Sequence, residues 1–355
     1  MRTRTFRESY GEITRLVPYA DTWFWYGALL LALLVLPLVA PAYIANYGTL
    51  IFIAATGAVG LNLVTGTAGL ISLGHAGFLA TGAYTTAILL TDYKWGLMPS
   101  ILAAGGLSAA VSLLVGIPSL RLKGLYLAIT TLAFSIITTT LILEAKPLTG
   151  GSSGKTVTRP EFLGFSMDSG SAIYYLALVV AVLTILAALN LLRSRVGRAW
   201  SALHDYDIAA SLMGINLRLY KLLAFAVSAF ITGVAGAVLA LHLRYLNVDS
   251  FQLITSVEVL TMIIVGGLGS VRGAVLGAVV ITLLPELSGA VFDLVGGPLK
   301  SLSAANAPEL KGVIYALIIM VFLRFEPDGM SWRWQHIKRF WSEWPYARKA
   351  ARKSA

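Results

Sequence analysis

A chain of 355 residues that is 57% hydrophobic and only 12% charged lacks the polar surface that a soluble protein of this size needs. It contains no cysteine, which excludes disulfide frameworks, thiolate metal sites and cysteine nucleophiles. The net charge of +10 gathers at the ends of apolar runs and in the two termini, so no soluble basic face is left for nucleic acid.

Residues 1–22 form a polar tail that carries Arg2, Arg4, Arg7 and Arg15, and the first apolar run is too long and too late for a cleaved signal peptide. Apolar runs separated by polar punctuation predict spans over 23–43, 48–64, 70–91, 97–117, 124–143, 172–192, 222–244, 253–269, 273–292 and 311–324. If the N-terminal tail is cytoplasmic, ten spans return the C-terminus to the same side. In that arrangement 20 of the 27 Lys and Arg residues lie in the cytoplasm, as the positive-inside preference requires. The expected fold is therefore an all-α membrane protein of about ten transmembrane helices. Residues 23–324 are its membrane domain and 325–355 a basic, Trp-rich cytoplasmic tail.

Two glycine-rich segments interrupt the helical pattern. The stretch GTAGLISLGHAGFLATG between Gly66 and Gly82 holds five glycines in what should be membrane, and GGLGSVRGAVLG over 266–277 holds five more around Arg272. Glycine costs about 1 kcal/mol relative to alanine inside a helix, and backbone groups freed in lipid need protein or water around them. Broken or re-entrant helices are expected at both places. Paired interruptions in the two halves of a chain are a mark of a transporter's substrate path, so Gly66, Gly69, Ser72, Gly74, Gly77, Gly266, Gly267 and Gly269 are candidates for it. Close helix packing is the other reading, since Gly269, Gly273 and Gly277 recur every four residues. His75 either holds the broken helix through backbone groups or binds substrate or protons. Glu258 either pairs with Arg244 near a span end or meets a substrate ammonium group.

The connection over 144–171 contains GGSSGKT at 150–156, which imitates a phosphate-binding loop. The motif fails, because Thr149 stands where its first glycine should be and no soluble strand precedes it; a flexible external loop is expected. The longest cytoplasmic connection, 193–221, reads RSRVGRAWSALHDYDIAASLMGINLRLYK. Helix formers run from Ala199 to Met213, with Ala202, Leu203, Ile208, Ala209 and Leu212 on one face, His204, Asp205 and Asp207 on the other, and Gly214 as the stop. Its acidic pair favours a partner protein over a lipid surface. In the tail, Trp332, Trp334, Trp341 and Trp344 with Lys338, Arg339 and Arg348 read as an amphipathic interfacial segment, with a partner-binding tail as the other reading.

The segment GRAWSALHDYDIAASLMGIN resembles the coupling loop of ABC-importer permeases, in the form found in the branched-chain amino-acid permease family. GLNLVTGTAGLISLGHAGFLATGAYT at 60–85, the GGSSG loop, YKLLAFAVSAFITGVAGAVLA at 220–240, the GGLGSVRGAVLGA block and FEPDGM at 325–330 are similar to that family's blocks in the same order, and resemble its LivM branch in particular. The resemblance implies a permease subunit of an ATP-driven importer in the bacterial inner membrane, without catalysis or cofactor of its own. Its implied partners are a homologous second permease, two ATPase subunits that bind ATP and Mg, a periplasmic solute-binding protein and membrane lipid. It also places Gly197, Arg198, Asp205, Asp207, Ala209, Ala210 and Gly214 in the coupling motif. Branched-chain amino acids are the implied substrates, with urea, short amides or other small solutes as alternatives. An ion-coupled carrier would need intramembrane carboxylates that the spans hardly supply, and a membrane enzyme would need clustered His, Asp or Glu.

Overall fold

A computed structural model describes residues 20–120, 122, 124–162, 165–166, 169–295, 317, 320, 324 and 329–343. Helices occupy each of the first nine expected ranges. They are α1 (Ala20–Val39), α2 (Ala42–Leu61), α3 (His75–Thr91), α4 (Leu97–Ser119) and α5 (Leu125–Glu144), followed by the single turn α6 (Lys146–Thr149). After them come α7 (Gly170–Arg193), α8 (Arg195–Asp205), α9 (Asp207–Leu212), α10 (Leu217–Leu243), α11 (Leu253–Gly266) and α12 (Val271–Val295). A last helix, α13, covers Gly329–Glu343. The expected tenth span, 311–324, lies outside the described residues except for 317, 320 and 324. Six helical stretches among the described residues are long and apolar enough to cross a membrane.

The exterior explains why. Leu102, Leu114, Ile136, Leu141 and Leu183 all face outward, an apolar surface suited to hydrocarbon and not to water. Hydroxyl groups along the helices turn back onto their own backbone, as Thr56 Oγ1 donates to Phe52 O at 2.8 Å and Thr261 Oγ1 to Val257 O at 2.7 Å. Such bonds satisfy a polar group where no water can.

Helix α10 is the central post, packed by α2, α3, α4 and α7. Small residues let its neighbours approach, and the α3–α10 crossing seats Gly82 directly on the backbone of Gly233. Two apolar clusters sit at opposite ends of the bundle. One joins Leu63, Val64, Trp200, Leu203, Phe225 and Ile263 beside α8. The other joins Tyr84, Leu97, Val157, Leu241, Leu246 and Phe251.

At that second end, strand β1 (Lys155–Thr156) pairs antiparallel with β4 (Tyr245–Leu246), while β2 (Glu161–Phe162) and β3 (Phe165–Ser166) form a separate ladder. The stretch that mimics a phosphate loop is thus tied down where a loose loop was expected. Lys155 Nζ bonds Asp92 Oδ2 at 2.7 Å, and the Arg159 guanidinium donates to Leu241 O at 2.7 Å. Side chains hold its backbone to the ends of α3 and α10.

Candidate functional site

Helix α2 does not end cleanly. It widens into a π-helical turn, Asn62–Thr67, after which Ala68–Gly74 is non-helical and α3 starts at His75. The broken helix expected from the first glycine block is present, and single π-turns of this kind are local departures from the ordinary ladder. Asn62 is fully buried and its Oδ1 accepts the Gly269 N–H at 2.9 Å. A methyl group on Gly66 would overlap both Asn62 Oδ1 and the Gly269 nitrogen. The two glycine-rich blocks, some 200 residues apart in sequence, therefore touch at Gly66 and Gly269.

The second block departs from its expected form. Gly267 to Ser270 make a tight corner between α11 and α12, with Gly269 at φ +76°, so Gly269 shares no helix with Gly273 and Gly277. The latter two lie on α12 and press against the α11 backbone at Gly266 and Met262, which is close packing. The same corner receives the start of α13, where Ser331 Oγ lies 2.8 Å from Ser270 Oγ and Gly329 abuts Gly267. Trp332, Trp334 and Ile337 on α13 are exposed.

The remaining candidates of the first block form a separate group further along the chain. Leu73 N donates to Thr131 Oγ1 on α5 and Ala76 N to Ser256 Oγ on α11, each at 2.9 Å, so neighbouring helices supply what the interrupted helix lacks. Ser72, Gly74, His75 and Gly77 are buried here. His75 leans on Gly57, and its Nδ1 lies 3.4 Å from Thr232 Oγ1, so the ring bridges α2, α3 and α10. Its Nε2 finds no hydrogen-bond partner among the described residues. Glu258 lies half-buried on α11, two residues beyond Ser256.

The 193–221 connection holds two helices where the apolar spacing predicts one. Tyr206, at φ −152° and ψ 103°, breaks the run between α8 and α9. Helix α8 is clamped to the bundle. Ser194 caps it by accepting from Val196 N, Gly197 presses on Leu192, and the fully buried Trp200 donates its indole N–H to Tyr220 O at 2.9 Å. Arg198 donates to Arg193 O at 3.1 Å, and Asp205 closes the helix at an exposed position. Helix α9 stands out instead. Ile208, Leu212 and Met213 are 71%, 83% and 85% exposed, Ala209 is exposed with them, and only Ala210 is buried. Asp207 sits in the first turn of α9, where a carboxylate suits the helix dipole, and Gly214 follows its end at φ +82°.

Three participants escape a reading of the sequence. Asn62 and His204 lie within the glycine-rich and coupling blocks, but spacing assigns them only to a helical run and to a polar face; an amide in an otherwise apolar stretch is the one signal for Asn62. His204 Nδ1 lies 3.2 Å from Gly66 O, and its ring packs over Gly69, which takes φ +70°. The third is Glu286 on α12, whose carboxylate accepts the Tyr47 hydroxyl.

The described residues contain no cluster of three metal-ligating side chains. What they contain is a junction in which His204 of the clamped helix α8 meets the break in α2, and Asn62 within that break bonds the α11–α12 corner. The family described as branched-chain amino acid transport system / permease component matches residues 43–323. The permease protein LivM of the high-affinity branched-chain amino acid transport system of Escherichia coli K12 is 35% identical over 73% of this chain and 67% of its own length. LivH of Salmonella typhimurium is 26% identical over 78% of this chain and 90% of its own, and BraD of Pseudomonas aeruginosa 27% over the same shares. No solved structure matches the chain. With six helices among the described residues long and apolar enough to cross a membrane, and permeases as relatives, this is a multi-pass membrane protein. It belongs to the branched-chain amino acid permease family.

Proposed function

We propose that the chain is one permease subunit of an ATP-driven importer that carries branched-chain amino acids across the bacterial inner membrane. The observation that carries this reading is 35% identity to LivM across nearly three quarters of the chain. In it, a homologous second permease completes the path, two ATPase subunits bind ATP and Mg, and a periplasmic binding protein delivers the solute. Ten spans with both termini in the cytoplasm fit the Lys and Arg distribution.

In this mechanism the chain performs no covalent chemistry. Closure of the ATPases moves the 193–221 connection, and the helices reopen toward the other side. Support for that role comes from the contrast between the two helices of the connection. Apolar Ile208 and Leu212 on α9 and Met213 just after it are exposed, a patch suited to a protein cleft. Helix α8 is anchored in the same cluster as the interrupted end of α2.

Purification from the native membrane in mild detergent, with mass spectrometry of whatever accompanies the subunit, tests the assembly. Recovery of an ATPase and a second permease is expected, and the double substitution Leu212→Ser with Met213→Ser should abolish ATPase recovery while leaving the subunit monodisperse. A subunit that transports alone in vesicles without ATP would replace the importer with an ion-coupled carrier.

A further inference from the structure

We propose that His204 is a positioning residue which, through its Nδ1–H bond to the Gly66 carbonyl, passes displacement of α8 into the π-turn of α2 and on to the α11–α12 corner. The inference rests on the coupling role given above to the 193–221 connection and deepens it.

Three observations carry it. First, α9 is tied to α8 through Tyr206, whose N–H donates to Ala202 O at 3.2 Å and whose carbonyl accepts the Ala210 N–H at 3.0 Å, while Trp200, Leu203 and Gly197 seat α8 on the bundle. Second, the receiving segment is where the helical ladder of α2 ends. The chain leaves its helical path after Thr67, so carbonyls of the last turn need partners from outside the ladder. One of them, Gly66 O, takes its hydrogen bond from His204. The ring lies so close to Gly69 that a side chain there would meet His204 Cγ at 3.2 Å. Third, the same π-turn is tied onward. Asn62 Oδ1 holds the Gly269 N–H at 2.9 Å, and Ser270 beside it holds Ser331 of α13. From His204 a continuous chain of hydrogen bonds and backbone contact thus reaches α2, α11, α12 and α13.

The chemistry fixes the atom. Gly66 O can only accept, so Nδ1 of His204 carries the hydrogen, and Nε2 has no part in the contact. Asparagine places an amide nitrogen the same number of bonds from Cα as Nδ1, whereas glutamine places its amide nitrogen near Nε2. The proposal therefore distinguishes two amides of similar polarity.

The test uses the full importer reconstituted in proteoliposomes. His204→Leu and His204→Gln should lower solute uptake per ATP hydrolysed by about tenfold, with the ATPase still bound, and His204→Asn should stay within about twofold of the parent. Equal transport by all three variants, or a defect in His204→Asn as large as in His204→Gln, would overturn the proposal. If His204→Leu fails to assemble, the Asn and Gln pair decides alone. Failure of the coupling reading gives a different signature, because the α9 double variant would then retain its ATPase and transport normally.

Discussion

Gly66 leaves no room for a methyl group, because a Cβ there would overlap Asn62 Oδ1 and the Gly269 nitrogen at once. Overpacking of this kind costs about 1–3 kcal/mol. Gly66→Ala should therefore lower the unfolding midpoint in detergent and the yield of monodisperse protein. Gly106, on α4, has only open space within 4 Å of the point where a methyl group would stand, so Gly106→Ala should be neutral or stabilising by up to about 1 kcal/mol. Equal effects at the two sites would mean that the α2 break and the α11–α12 corner do not meet in the membrane. The glycine pattern itself was legible, because five glycines in a span are poor helix formers wherever they fold. Which residue each glycine makes room for was not. Gly66 finds Gly269 and His204 more than 130 residues away, and no spacing rule encodes a partner at that distance.

At the level of elements, the start of α3 is held by its neighbours more than by its own sequence. Gly74 caps it without a side-chain bond. The N–H groups of Leu73 and Ala76 instead bond the hydroxyls of Thr131 and Ser256 at 2.9 Å. A buried donor left without its acceptor costs about 1–3 kcal/mol. Thr131→Val and Ser256→Ala should each lower thermal stability by that amount, and the double variant should depart from the sum because both bonds hold the same start of α3. Unchanged midpoints would show that water reaches the break and replaces the lost hydroxyls. Helix placement was readable here because long apolar runs specify it, but the division between α8 and α9 was not. Leu203, Ile208 and Leu212 keep a helical period across Tyr206, so periodicity alone joins them. Leu203 is buried and Leu212 is 83% exposed; the period records apolar faces without saying which of them pack on the bundle.

Across the whole molecule, α7 and α10 run in opposite directions between two different ends. Their 24 and 27 residues span roughly 36 and 40 Å, enough to cross about 30 Å of hydrocarbon. The β1–β4 ladder joins the loop before α7 to the end of α10, so it lies at one end, and α8 and α9, which connect the same two helices, lie at the other. Arg193, Arg195, Arg198, Arg218 and Lys221 gather at the end that carries α8 and α9, which the orientation proposed above from the preference of basic residues places in the cytoplasm. The absence of native cysteine makes the assignment directly measurable. Ser152→Cys, on the exposed loop before β1, should react with a membrane-impermeant maleimide in spheroplasts, whereas Met213→Cys, 85% exposed after α9, should react only in inverted vesicles. Labelling of both from the same side would contradict the antiparallel crossing of α7 and α10. Labelling from the reversed sides would keep the fold but present α9 to the periplasm, where no ATPase could engage it.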